Sequence, residues 1–190
     1  MHAYDATTGE PLWESDVTAG ASRVVVRGDT ALVLGSPPDT EDSGLLGYDI
    51  SNVSEEVLSH EWTALTDPDI DPGKVSVAPD SGVAYVTDPD SLDPDRLHVV
   101  NTATGEHLDA YTHESVGAGG DGLVFPAVTE DIVYFGDPYG TIVGIDRGTG
   151  EAQFQLEHGG VRTYPLAVGD QLYTAGEELR AWKPPNAGEE

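Results

Sequence analysis

An eleven-residue pattern that recurs along the chain limits its fold more than any other feature. The pattern is AYDATTGEPLW at residues 3–13, and similar segments are VVNTATGEHLD at 99–109 and GIDRGTGEAQF at 144–154. Degenerate copies begin at Gly47 and Ala181, so that successive copies start 44, 52, 45 and 37 residues apart. A period of roughly 40–45 residues, filled with short strands, is typical of a β-propeller, in which each repeat forms one blade.

Each repeat is predicted to contain four short antiparallel strands. Runs rich in Val, Ile, Tyr and Phe, separated by Gly, Asp and Pro, indicate strands joined by tight turns. In the third repeat these runs lie at residues 123–128, 132–136, 141–146 and 151–157. The fourth repeat has three of them, at residues 163–168, 171–175 and 179–183. We therefore predict an all-β fold, a propeller of about four four-stranded antiparallel blades that is partial or open.

The predicted propeller domain spans residues 1–183, and the acidic tail at 184–190 is expected to be disordered. Its blades are predicted at approximately residues 22–62, 74–112, 122–157 and 160–183, with 1–16 as the outer strands of a split or preceding blade.

The strand count predicts an arc of blades rather than a self-sufficient ring. Residues 2–5 and 10–15 are predicted as the third and fourth strands of a blade, and the last repeat lacks its fourth strand. In a closed four-bladed ring, which is the alternative, residues 2–5 and 179–183 would compete for one position. An arc would be cut from a longer propeller or completed by a partner copy. Its broken edges would expose unpaired backbone and apolar surface, so we expect self-association or a protein partner there.

The recurring pattern resembles the tryptophan-docking repeat of the PQQ-like β-propeller family, which includes quinoprotein dehydrogenases and the non-enzymatic assembly factor BamB. The first copy carries all five residues of that motif, namely Ala3, Asp5, Thr8, Gly9 and Trp13. The copy at 144–154 has a Phe in place of the Trp, and its matching residues are Gly144, Asp146, Thr149, Gly150 and Phe154. The copy at 99–109 keeps Thr104 and Gly105 but has Asp109 where the aromatic residue would stand.

The motif is predicted to be architectural rather than a cofactor site. Asp and Thr side chains bond local backbone groups in tight turns, and Gly accepts a positive φ. A Trp has a large surface to bury against the next repeat. We therefore interpret these residues as a structural docking motif.

The strongly acidic charge of the chain argues against nucleic-acid binding and is typical of proteins that work in concentrated salt. Asp and Glu number 35 against eight Lys and Arg, which gives a formal net charge of −27. Nucleic-acid binding is not expected, because no basic patch is available to neutralise phosphates. The composition resembles that of proteins from salt-loving archaea, in which the whole surface is acidic; a specific cationic partner is the alternative. No apolar run approaches the ~20 residues of a transmembrane helix.

Long acidic loops are predicted on one face of the propeller, opposite the short turns, and binding is expected there. Seven aspartates border this face and are candidate ligands for an irregular Ca²⁺ site, namely Asp67, Asp69, Asp71, Asp88, Asp90, Asp93 and Asp95. Neither cluster is an EF-hand, since Pro72 and Asp93 stand where that loop requires Gly. Solvated acidic loops are the alternative. Arg162 is predicted on the same face, as a ligand contact or as a partner of nearby carboxylates.

The resemblance implies either a non-catalytic protein-binding or scaffold module, or a fragment of a PQQ- and Ca²⁺-dependent dehydrogenase. The dehydrogenases of the family tend to cap the quinone with an adjacent Cys pair, and this chain contains no Cys. We therefore favour the first function, with no catalytic residue and no PQQ. The resemblance suggests the cell envelope or the extracellular space, although no signal segment is visible at the start of the sequence.

The acidic composition predicts that the fold is most stable in concentrated salt. At 1 M salt the Debye length is about 3 Å, which screens the mutual repulsion of the carboxylates. The melting temperature should therefore rise as KCl is increased from low to molar concentration. A melting temperature that stays constant over this range would contradict the interpretation.

Overall fold

The computed structural model consists of β-strands throughout the part of the chain that it describes. That part comprises residues 2–15, 24–37, 43–51, 57–67, 70, 74–77, 82–88, 96–112, 126–136, 140–157, 164–169, 171–175 and 178–183. In chain order its strands are β1 (His2–Tyr4), β2 (Pro11–Ser15), β3 (Val24–Arg27), β4 (Thr30–Gly35), β5 (Gly44–Asp49), β6 (Val57–Leu58), β7 (Trp62–Ala64), β8 (Lys74–Val77), β9 (Val83–Asp88), β10 (Arg96–Asn101), β11 (His107–Thr112), β12 (Ala127–Val128), β13 (Ile132–Gly136), β14 (Thr141–Asp146), β15 (Ala152–Glu157), β16 (Tyr164–Val168), β17 (Gln171–Ala175) and β18 (Leu179–Trp182). Within these ranges no helix is long and apolar enough to cross a membrane.

The strands form successive blades of a propeller. Blade 1 is β3-β4-β5-β7, blade 2 is β8 to β11, blade 3 is β12 to β15, and blade 4 is β16 to β18. A fifth sheet joins the terminal hairpin, β1 and β2, to β6. The innermost strands β3, β8, β12 and β16 contact one another in this order, so the blades follow each other around a common axis. The predicted all-β propeller with antiparallel blades is confirmed.

Among the described residues, the first and last sheets have three strands each, whereas blades 1 to 3 have four. β18 is the last described strand of blade 4, and β2 pairs with β1 and β6. Residues 10–15 therefore do not pair with 179–183, which a closed four-bladed disc would require. The predicted tail at 184–190 lies outside the described residues.

Blade 1 departs from the predicted boundaries at its outer edge. Its outermost strand β7 begins at Trp62, where the blade was expected to end, and continues to Ala64. The residues ahead of it form β6, which pairs in parallel with β2 through Glu14 opposite Val57. β6 thus covers an edge of the terminal hairpin that would otherwise expose unpaired backbone groups.

Hydrophobic clusters fill the seams between successive blades. Residue pairs that share a cluster across a seam are, in chain order, Trp13 and Tyr48, Leu45 and Val100, Leu97 and Phe135, and Ile142 and Leu172. The middle strands of each complete blade are buried on both faces, since each blade packs between two neighbours. This explains why their sequences are continuous apolar runs rather than alternating patterns.

The Asp-x-x-Thr-Gly turns of the repeat fold alike. The Asp5 Oδ1 atom accepts hydrogen bonds from the amides of Thr7 and Thr8, both at 2.8 Å, and the Thr8 hydroxyl accepts one from the amide of Glu10 at 3.2 Å. The same set of bonds recurs around Asn101 and Asp146. The Thr8 and Thr7 amides hold the pKa of the exposed Asp5 carboxyl below its usual value.

Aromatic residues of blades 1 and 2 pack on a glycine in the turn of the following blade. Trp62 lies between Gly47 of its own blade and Gly105 in the turn of blade 2, so close that a methyl group on Gly105 would lie 2.5 Å from Cε3 of the indole. Trp13 is 9% exposed at the first seam, where it belongs to an apolar cluster with Tyr48 and other residues of blade 1. The ring that packs on Gly150 of blade 3 is that of Tyr111 in blade 2, which lies two residues beyond Asp109, the position where the repeat would place its aromatic residue.

Glycine-to-alanine substitutions are expected to separate backbone strain from aromatic docking. Gly9, Gly105 and Gly150 all have φ of 73°. An alanine at any of these positions would have to adopt a left-handed backbone conformation, which lowers the free energy of unfolding by about 1–2 kcal/mol. A methyl group added at Gly9 would have no atom within 4 Å. At Gly150 it would lie 3.1 Å from the Tyr111 ring, and at Gly105 it would lie 2.5 Å from the Trp62 ring. Gly105→Ala should therefore lose a further ~1–3 kcal/mol through overpacking, with Gly150→Ala between the two.

Urea unfolding of the three variants measures these differences, with Gly9→Ala as the control. Equal losses of unfolding free energy for Gly9→Ala and Gly105→Ala would show that the Trp62 contact contributes nothing.

Candidate functional site

Most of the predicted acidic loop face lies outside the described residues. This applies to Asp69, Asp71, Asp90, Asp93, Asp95 and Arg162. Asp67 is described, and its carbonyl accepts a hydrogen bond from the amide of Ile70 at 2.9 Å. Asp88 is the last residue of β9 and is 4% exposed, so it belongs to a blade rather than to a solvated loop. Among the described residues no group of three His, Asp or Glu side chains is placed to hold a metal ion.

The Asp88 side chain belongs to a polar cluster in blade 2. Nε2 of His98 lies 3.4 Å from Oδ2 of Asp88, and Nδ1 of His98 lies 3.1 Å from Nε2 of His107. The three residues come from β9, β10 and β11, so the sheet brings together groups that are 9 and 10 residues apart. Because both ring nitrogens of His98 face these partners, the cluster satisfies itself and offers neither nitrogen to a substrate.

His98 lies on the face of blade 2 that packs against blade 1. It is opposite Val86 in the sheet, and Val86 belongs to the cluster at that seam. Burial lowers the pKa of His98 below its ordinary value of 6.5; the hydrogen bond to Asp88 opposes this shift, and His107 adds to it. The seam between blades 1 and 2 therefore contains a histidine that resists protonation.

An open cleft of about 270 Å³ lies where blades 1 and 2 meet. It is on the turn face, which is the face of the propeller that carries the short turns. Its carboxylates are Asp29, Asp49 and Glu61, and the half-buried Trp62 also lines it. The Asp49 Oδ1 atom accepts a hydrogen bond from the Ser51 amide at 2.8 Å, and the Ser51 side chain and amide lower the pKa of Asp49. The cleft therefore combines negative charge with aromatic surface, a combination suited to a cationic group.

A second cleft, of about 440 Å³, lies on the turn face of blade 3. Glu130, Asp131 and Asp146 line it together with Arg147. The Arg147 guanidinium is already engaged, because Nε donates to the Tyr85 hydroxyl at 3.0 Å and Nη1 donates to the carbonyls of Thr129, at 2.7 Å, and Glu130. Arg147 thus links blade 3 to blade 2.

Sequence reasoning missed both the role of Arg147 and the cleft between blades 1 and 2. One signal for Arg147 is its rarity, since the chain has only eight Lys and Arg and this one stands in a repeat turn. The cleft had no comparable signal, because its residues come from four separate segments that the fold alone brings together.

Acidification is expected to destabilise the protein through His98. Because the pKa of His98 is lower in the folded state, the unfolded chain binds this proton more readily. The contribution of neutral His98 to the free energy of unfolding is therefore present in full above pH 6.5 and is lost as the pH falls below that value. For one proton this loss is at most about 1.4 kcal/mol per pH unit.

Unfolding free energies of wild type, His98→Gln and His2→Gln, measured in molar KCl between about pH 8 and pH 5, test this linkage. The slope should be shallower for His98→Gln than for wild type, and His2→Gln controls for the loss of a histidine at an exposed position. Identical slopes for wild type and His98→Gln would refute the role of His98.

Comparison with known proteins agrees with this architecture. The model of a family described as outer membrane protein assembly factor BamB matches residues 1–186. BamB from Moraxella catarrhalis superposes with a TM-score of 0.65 at 19% identity, over 96% of this chain and 54% of that chain. The computationally designed proteins Ika8 and Ika4 superpose with TM-scores of 0.58 and 0.65 at 11% and 12% identity; the matches cover 96% and 90% of this chain, and 64% and 97% of theirs.

The chain thus spans about half the length of the Moraxella structure. No curated protein matches it. The family match covers nearly the whole chain and agrees with the repeat turns, the aromatic docking and the antiparallel blades. The chain belongs to the BamB-like family of PQQ-like β-propeller repeat proteins.

Proposed function

We propose that this chain is a non-catalytic propeller module that binds another protein through a basic side chain of that partner. The observation that supports the proposal best is the cleft between blades 1 and 2, which Asp29, Asp49 and Glu61 line together with Trp62. The family is named for an assembly factor, which is a protein-binding role, and this role comes to the chain by analogy.

The chemistry of the cleft favours Arg or Lys over other ligands. Carboxylates bind a guanidinium through charge-assisted hydrogen bonds, and an aromatic face attracts the same cation. A cleft of about 270 Å³ has room for one or two side chains of a partner. A protein with a net charge of −27 also attracts basic partners over a distance that depends on ionic strength.

The residues of the repeat itself are engaged in the architecture. Asp5, Asn101 and Asp146 bond the amides of their own turns, and Trp62 packs on glycines. The alternative function, a fragment of a quinone-dependent dehydrogenase, would need another set of groups for PQQ and Ca²⁺. Titration of the protein with PQQ and Ca²⁺ tests that alternative, and quinone-dependent oxidation of an alcohol or sugar would refute the non-catalytic role.

Neutralising the cleft should abolish capture of the partner. Immobilised wild type, an Asp29→Asn/Glu61→Gln variant and a Glu10→Gln/Glu106→Gln control are exposed to an extract of the source organism in molar KCl. The control removes the same charge from exposed positions in repeat turns. We expect a protein whose recovery falls about tenfold or more with the cleft variant, equivalent to about 1.4 kcal/mol, and stays unchanged with the control. Equal recovery by all three proteins would eliminate the cleft as the binding site.

A further inference from the structure

The last blade leaves uncovered a face that is buried in the preceding blade. The repeat alignment places Leu179 at the position of Ile142, because Ala181 aligns with Gly144. Ile142 is 0% exposed, since blade 4 covers it, whereas Leu179 is 75% exposed. Leu166 on the innermost strand of blade 4 is likewise 61% exposed. Blade 4 therefore presents the surface on which a further blade would pack.

This uncovered face carries no carboxylate, although the chain is strongly acidic. Strands β16, β17 and β18 contain no Asp or Glu in their 14 residues, whereas the whole chain has 35 in 190. A solvated surface in this protein would be expected to carry acidic side chains. An apolar, uncharged and exposed sheet face is typical of an interface.

The opposite end of the arc has a complementary gap. The terminal hairpin covers the middle strands of blade 1 through Trp13, but it leaves the innermost strand β3 open. Val24 and Val26 of that strand are 44% and 57% exposed. They pair with Val33 and Ala31, which are buried under the hairpin, so all four lie on one face. The inner half of a preceding blade is what would cover the two valines.

We propose that two copies of this chain associate end to end, with blade 4 of each copy packed on blade 1 of the other. Blade 4 supplies the three inner strands of a blade, and the terminal hairpin supplies the two outer ones. The inner strands of blade 4 and the outer strands of the terminal hairpin are therefore complementary parts of one blade. A two-fold rotation about the propeller axis joins both pairs of ends at once, and closed symmetric assemblies of this kind are the common state of homo-oligomers.

The dimensions agree with a ring made of two copies. The chain superposes on 54% of the Moraxella catarrhalis BamB chain, so two copies have about the length of that protein. This inference is independent of the proposed partner-binding function, because the cleft lies between blades 1 and 2 and the contacts proposed here lie at the ends of the arc.

One strand must be displaced when the ends join, because the two ends bring five strands to a four-stranded blade. β18 is anchored in its own blade, where Nε1 of Trp182 donates to the Thr174 hydroxyl at 2.9 Å. β1 has three residues, whereas the corresponding strands β10 and β14 have six each. We therefore assign β1 as the strand that leaves, so that β2 pairs with β18 of the other copy.

Cysteine cross-linking tests this pairing, since the chain has no native Cys. His2 is opposite Glu14, and the repeat alignment places Arg180 at the position of His2. Oxidation of a Glu14→Cys/Arg180→Cys variant should therefore give a covalent dimer, with at least about tenfold more product than a Glu10→Cys/Glu106→Cys control. Equal yields from the two variants would overturn the proposed strand pairing.

Light scattering in molar KCl measures the association itself. The wild type should show twice the 20.0 kDa mass of the chain at micromolar concentration. Leu166→Glu/Leu179→Glu should raise the dissociation constant at least about a hundredfold, whereas Leu108→Glu, at an exposed leucine of blade 2, should leave it unchanged. Circular dichroism confirms that each variant is folded.

A monomeric wild type at all concentrations would overturn the proposal and would indicate that other strands cover both ends. A dimer that is equally stable in the Leu166→Glu/Leu179→Glu variant would also overturn it, because the interface would then lie elsewhere.

Discussion

The packing of an aromatic ring on a glycine of the next blade fixes both seams of blade 2, and the arrangement of the central blades depends on this contact. Trp62 fits between Gly47 and Gly105 because neither has a side chain. The same contact requires the tight turn that presents Gly105, and that turn requires the hydrogen bonds accepted by Asn101. A short sequence motif thus fixes both the end of one hairpin and the position of its neighbour, which explains why the repeat is visible in the sequence.

The fold could be predicted because its determinants are local. The predicted strands at 132–136, 141–146 and 171–175 agree with β13, β14 and β17 residue for residue. The docking aromatic of blade 2 could not be found by spacing, because Tyr111 lies two residues beyond the expected position. A strand has a period of two, so this shift keeps the ring on the same face. The parallel pairing of β6 with β2 has no local signal either.

The candidate site was less predictable because it depends on contacts between segments distant in sequence. Asp88 was interpreted as a loop residue because Pro and Asp follow it, yet it ends β9 and faces His98. A sequence of Asp and Pro residues marks where a strand ends but not which side its last side chain faces. The cleft between blades 1 and 2 combines two turns of blade 1 with one of blade 2, and only the blade order places them together.

The distribution of charge shows how an acidic chain retains a core. Among the described residues, Asp88 is the only fully buried acidic side chain, and it is paired with His98. The other described carboxylates lie at turns and on outer strands, where water and salt screen them. Repulsion among them acts mainly on the rim of the blades, while the seams remain apolar. Absence of charge is therefore informative in this protein, because the exposed strands without carboxylates are the surface on which we propose that a second copy packs.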